Sequence, residues 1–261
     1  PQGGVPVYTV PIALNFPFDA QSPQESGPVR VAMAGGLNCW LDHETLIDGL
    51  RDALRARPEM EFHCIGGPIA GMNTGAWSAL EAWAREPRTS AQIHLHGWVA
   101  QHRIPEILGT CHAGVWMDRP GDEPLLGSRT RALLYGWMGL QIIGSTSTEL
   151  AVQLSHAGHM QGVPVGDSNA LSRALIAVQP ERRSLTEARR AWMQTEYSVE
   201  SSSQALCRWV QEPQRVIRAD TPSARIATEH ARLRDELSSM RATPTWRLLS
   251  AAHRALGGRE S

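Results

Sequence analysis

Short apolar runs alternate along this chain with longer stretches in which apolar residues recur every three or four positions. Residues 29–34 form the first run, closed by Gly35-Gly36. Asp42 then stands as a helix N-cap, and Leu46, Leu50, Ala53 and Leu54 share one helical face. Residues 60–65 repeat the pattern and end at Gly66-Gly67, with Trp77, Leu80 and Ala84 marking the next helix. Further strands are predicted at 93–99, 113–117, 140–144 and 162–165. Helices are predicted at 103–108, 131–137, 149–154, 171–178 and 187–193. Strands and helices alternating at this spacing predict a parallel sheet covered on both faces. Such sheets take ligands beyond the carboxyl ends of their strands. The loops after residues 34, 65, 96, 117 and 144 are therefore where chemistry is expected.

The two ends read differently. Residues 1–28 are rich in Pro and Gly around one apolar run at 7–14, which predicts an extended linker or an edge strand. Beyond Glu212-Pro213 the alternation stops. Ile226, Leu233, Leu237 and Met240 make an apolar stripe in an Arg- and Glu-rich helix over 223–241. Pro244 opens a second helix through Trp246, Leu248, Leu249 and Leu256, ending at Gly257-Gly258. The expected organisation is a linker over 1–28, an α/β domain over 29–212 and a helical tail over 213–261. The stripe must be covered by the domain, by a second copy or by a lipid surface, so self-association and membrane-surface contact are both open.

Charge sharpens that division. The 261 residues carry a net charge of -1, but residues 1–212 hold 16 Arg against 21 acids, whereas residues 213–261 hold 9 Arg against 5 acids. A net acidic main domain argues against nucleic-acid binding. The chain has no Lys, which excludes a lysine Schiff base or a Walker lysine and leaves Arg as the side-chain cation for any phosphate. Cys39, Cys64, Cys111 and Cys207 form no Cys-x-x-Cys pair and fit no zinc spacing, which suits a reducing, cytoplasmic setting. No apolar run approaches the ~20 residues of a membrane span, and no signal peptide is visible. A start at Pro1 rather than Met fits a fragment from which an upstream segment has been removed.

The most informative segment runs from 118 to 145. After a strand that ends near Asp118 comes an acidic loop with Asp122 and Glu123, then Gly127-Ser128-Arg129-Thr130-Arg131 at the start of a helix. Free backbone N–H groups at a helix start favour an anion, Ser128 can cap them, and Arg129 and Arg131 add full charge. A diphosphate is the expected guest; the plainer alternative is an ordinary cap with two solvated Arg. Other groups rank lower. His94 and His96 alternate on one strand and so face the same side, as metal ligands can, but no nearby carboxylate or Cys completes a set, and no metal site is expected. Gly35-Gly36-Leu37-Asn38 is not a dinucleotide-binding glycine signature. Trp77, Trp83 and Trp192 are expected in the core, whereas Trp98 and Trp116 near strand ends suit stacking on a base or sugar as well as packing.

Taken together, these segments resemble the carboxy-terminal, donor-binding domain of retaining glycosyltransferases of family four, which have the B-type fold of two Rossmann domains. Four features carry the resemblance over roughly residues 29–212. Gly35-Gly36 followed by Trp40, Asp42, Thr45 and Leu46 is similar to an opening loop and helix of one bacterial branch. Gly97-Trp98-Val99 is similar to a loop that faces the nucleobase. Arg129-Thr130-Arg131, the helix through Tyr135 and Trp137, and Gly139-Leu140 match the donor helix and its following strand. Residues 145–149 and the 167–175 helix complete the order.

The resemblance implies a single Rossmann-like sheet that binds a nucleotide sugar. It further implies transfer of a hexose-type unit to a glycan or lipid-linked acceptor with retention, with no metal or other cofactor, as in bacterial polysaccharide biosynthesis. The expected donor-site residues are Gly35, Gly36, Gly66, Gly67, Trp98, Val99, Gly127, Ser128, Arg129, Thr130 and Arg131, with Glu123 as the catalytic candidate. With Gly139-Leu140 as anchor the family's two acidic positions fall on Leu126 and Leu134, and with Glu123 as anchor the second falls on Arg131, so the pair is broken in either register and only Glu123 is at hand to contact sugar hydroxyls. Three functions stay open: the donor half of an active transferase, a catalytically degenerate binding or assembly module, and another nucleotide-sugar enzyme such as an epimerase.

Overall fold

The computed structural model describes residues 10–16, 27–72, 75–181, 183–212, 232–240, 243 and 246. Six parallel strands form one sheet: β1 (Arg30–Ala34), β2 (Glu61–Ile65), β3 (Ile93–Gly97), β4 (Ala113–Trp116), β5 (Gln141–Ser145) and β6 (Met160–Val163). Their order is β3-β2-β1-β4-β5-β6, the doubly wound Rossmann order, so the chain reverses direction across the sheet between β1 and β4. The last strand comes earlier than 162–165, because Met160 and Val163 turn inward while Val165 is exposed in the turn that follows.

Helices α1 (His43–Ala56), α2 (Ala76–Ala84), α3 (Arg103–Leu108), α4 (Asp122–Leu126) and α5 (Thr130–Trp137) follow the first four strands. Then come α6 (Glu149–His156), α7 (Ser168–Ile176), α8 (Arg183–Glu196) and α9 (Val199–Gln211). The α1 start obeys its sequence: the Asp42 carboxylate accepts from the Thr45 N–H and from the Thr45 hydroxyl, satisfying a first-turn donor. Thr148 and Asp167 cap α6 and α7 in the same way.

Two cores sandwich the sheet. On one face Leu46, Leu50, Ala53 and Leu54 of α1, Leu80 and Trp83 of α2, and Leu171 and Leu175 of α7 cover Val31, Met33, Phe62 and Cys64. On the other, Leu108, Leu133, Tyr135, Leu154 and Met193 cover Ala32, Ala34, Ile65, Trp116 and Ile142. Trp83 and Trp116 are both fully buried, so the packing alternative holds for Trp116; Trp98 is 63% exposed. Tyr135 lies directly on Gly114, where a Cβ would come within 2.2 Å of the ring. Its hydroxyl accepts from the Ala34 N–H at 2.9 Å and donates to the Val115 carbonyl at 3.3 Å, tying α5 to β1 and β4 together.

The described part of the leading segment is extended coil rather than strand. Leu14 is buried, its N–H bonds the Tyr197 carbonyl, and Ile12 and Phe16 pack on the second core. The chain divides into two compact units, one spanning Val10–Ala205 and the other taking in the chain from Leu206 onward. In that second unit residues 232–240 are helical, and Leu233, Leu237 and Met240 are exposed. Ile226 and the second tail helix over 244–256, apart from Trp246, lie outside the described residues. Among the described residues no helix is long and apolar enough to cross a membrane.

Candidate functional site

The carboxyl ends of β1 and β2 meet at paired glycines. Gly35 and Gly66 both have φ near +115–119°, and a Cβ on Gly66 would lie 2.1 Å from the Gly35 carbonyl oxygen, so no side chain fits. The loop that leaves Gly36 is pinned on both sides. The Leu37 N–H bonds the Gly67 carbonyl, the Asp42 N–H bonds the Met117 carbonyl, and the Arg119 N–H bonds the Trp40 carbonyl. The β1–α1 loop is thus strung between the exits of β2 and β4, at the crevice where the strand order reverses.

Arg131, in the first turn of α5, reaches into this crevice. Its guanidinium lies 3.5 Å from where a Gly35 Cβ would be, and one terminal nitrogen donates to the Gly36 carbonyl at 3.5 Å. Among the described residues no carboxylate forms a salt bridge with it. A half-buried cation with no counter-ion, facing glycine backbone at a switch point, is arranged to receive an anion. Trp98 closes the neighbouring side: its indole N–H donates to the Pro68 carbonyl at 3.0 Å, and its ring approaches Gly36 and Gly67. Gly35, Gly36, Gly66, Gly67, Trp98 and Arg131 are therefore brought together. Val99 instead packs on the second core.

Arg129 stands differently. Its Nε donates to Asp118 at 2.9 Å and its two terminal nitrogens donate to the two Glu123 oxygens at 3.2 and 2.9 Å. Burial works against its charge, but the Glu123 and Asp118 carboxylates outweigh burial and hold its pKa above the usual arginine range. Asp118 also accepts from the Trp116 indole and the Ser147 hydroxyl, and its backbone N–H donates to the Ser145 hydroxyl. This is a closed ion network in which Arg129 and Glu123 satisfy one another. Gly127 leaves room for it, since a Cβ there would fall 2.6 Å from a Glu123 oxygen. Ser128 does not cap α5: Arg129 holds the cap position without a side-chain bond, and Ser128 and Thr130 are exposed at the helix start. Asp118, Ser145 and Ser147 escaped the sequence reading as partners. Their signal was positional, since two of the three follow the ends of β4 and β5.

No protein-family model matches the chain, and no curated protein sequence matches it. Solved structures do. HepE from Anabaena, in complex with UDP and glucose, matches at TM-score 0.58 with 15% identity, over 72% of this chain and 49% of that one. TarM from S. aureus matches at 0.59 with 9% identity, over 78% of this chain and 38% of that one. The lipopolysaccharide outer core galactosyltransferase WaaB matches at 0.58 with 12% identity, over 79% of this chain and 56% of that one. The fold is that of one Rossmann unit of glycosyltransferases. The likeness extends to the B-type fold, and the chain spans about half the length of these relatives in structure.

Proposed function

We propose that residues 29–212 bind the diphosphate of a nucleotide sugar at the crevice beyond β1 and β4. The observation that carries this reading is Arg131, a cation without a carboxylate partner above Gly35-Gly36. The first-turn amides of α5, which no side chain caps, would add the helix dipole to the pull on the same anion. Trp98 offers an exposed aromatic face for the base. Arg131 would neutralise the charge that develops on a departing diphosphate, which is the contribution a retaining sugar transfer needs most from this half of the fold. Relatives in structure carry UDP or UDP-glucose, so a uridine nucleotide is the first ligand to try. A glycan or lipid-linked acceptor is the second substrate that this reading calls for.

Calorimetry with a panel of nucleoside diphosphates and the matching nucleosides tests the reading. The chain should bind at least one diphosphate, with UDP first, and transfer no sugar alone. Failure of every diphosphate to bind would overturn the proposal. A second reading, a binding module without transferase activity, rests on the Glu123–Arg129 pair. A carboxylate held bidentate by Arg is a poor partner for a sugar hydroxyl, and the other acidic positions are Leu126 and Leu134. Nucleotide-sugar binding with no hydrolysis or transfer, even in the presence of a complementary Rossmann half, would favour it.

A further inference from the structure

On the second face of the sheet, beside the apolar Ala32, Ala34 and Ile65, β1, β2 and β3 also carry a polar patch. The register sets Arg30 beside Glu61 and His63 beside His94, and the period of two places His96 on the same side. Helix α3, only six residues long, is the cover that follows β3 here. The Glu61, His63 and His94 ligand atoms all lie within 4.8 Å of one another. His63 Nε2 is 3.4 Å and His94 Nε2 is 3.9 Å from Glu61 Oε2. His94 Nε2 is shielded from solvent and has no hydrogen-bond partner, a buried polar atom left open toward the carboxylate.

We propose that Glu61, His63 and His94 form a binding site for a divalent transition ion of the zinc class, with His96 positioning His63. Two imidazoles and one carboxylate are a known zinc donor set, and tetrahedral bonding at about 2.0–2.2 Å sets the donors about 3.3–3.6 Å apart. The two nitrogen–oxygen separations lie within or about 0.3 Å above that range, and the partly exposed Glu61 and His94 side chains have room to close the set. The supporting contacts fit as well. His63 Nδ1 meets His96 Nε2 at 3.0 Å, so the second ring fixes the first with its Nε2 turned to the ion. Arg30 Nε donates to Glu61 Oε2 at 2.6 Å and so holds the carboxylate beside the two rings. These residues sit in the strands, whereas the diphosphate crevice lies beyond their carboxyl ends, so the two sites are separate.

The test uses the full chain without an affinity tag, cleared of metal by a chelator and titrated with Zn²⁺ and Co²⁺. One equivalent should bind and raise the melting temperature, and Co²⁺ should give the intense visible absorption of a four-coordinate site. His94→Gln and Glu61→Gln should each weaken binding by about 100-fold or more, and His96→Gln by about 10–100-fold. His156→Gln, exposed on α6, should leave it unchanged. His94 is partly exposed, so its variant should fold, and circular dichroism will show that it does. Zn²⁺ and Co²⁺ binding that is absent, or equal in wild type, His94→Gln and Glu61→Gln, would overturn the proposal, whatever the outcome with nucleotides.

Discussion

Arg129 and Arg131 stand two positions apart at the start of one helix, a separation of about 200° around its axis. The offset sends one side chain to Asp118 and Glu123 and leaves the other over Gly35-Gly36. Their replacements should therefore fail in different ways. Arg131→Ala should leave stability nearly unchanged and weaken diphosphate binding by about 1.5–3 kcal/mol, roughly tenfold or more, while sparing the nucleoside. Arg129→Ala strands the buried Asp118 carboxylate and should lower stability by about 3–5 kcal/mol in urea titrations. Equal loss of diphosphate affinity at constant stability in both variants would contradict the division. Trp98→Ala should weaken nucleoside and diphosphate alike by about 1–3 kcal/mol, because an aromatic face acts on the base. The spacing of two Arg in a sequence does not reveal which one already has partners. That depends on Asp118, brought in from the exit of β4, and so the division was illegible before folding.

The elements were far more legible than the contacts between them. Five strands fall where short apolar runs meet turn residues, and α1, α5 and α7 fall where apolar spacing changes to helical period. Helix α4 was read as loop because five residues with a proline at the third carry no period to detect. The histidine row was missed because its carboxylate, Glu61, and its buried ring, His63, belong to the strand that precedes His94 by some thirty residues, joined only by register. Tyr135 shows how an element carries the site. It lies one turn beyond Arg131 on α5 and bonds both β1 and β4 through its hydroxyl. Tyr135→Phe should leave the Ala34 N–H buried without a partner, at about 1–3 kcal/mol of stability. Gly114→Ala, which drives a methyl into the same ring, should cost at least as much.

At the scale of the whole molecule, the sheet and both its cores belong to the unit Val10–Ala205. A chain ending at Glu212 should keep its affinity for nucleoside diphosphate, measured by calorimetry. It should also lose whatever self-association or lipid attachment the tail provides, measured by sedimentation with and without anionic vesicles. Loss of nucleotide binding in a truncated chain that still gives a folded circular-dichroism spectrum would assign the tail to the site.

The pinned loop between Gly36 and Asp42 has a bearing on time as well as on place. Because its amides at Leu37 and Asp42 are bonded to the exits of two different strands before any ligand arrives, that rim cannot swing as a gate. Hydrogen exchange at these two amides should be slow in the empty protein, set by opening of the sheet ends rather than by local fraying. Adding a tight ligand should slow them little further, and the entropy lost on binding should be correspondingly small. Under the proposed nucleotide reading, ligand arrival would then be governed by the approach past Trp98, and the residence time by Arg131.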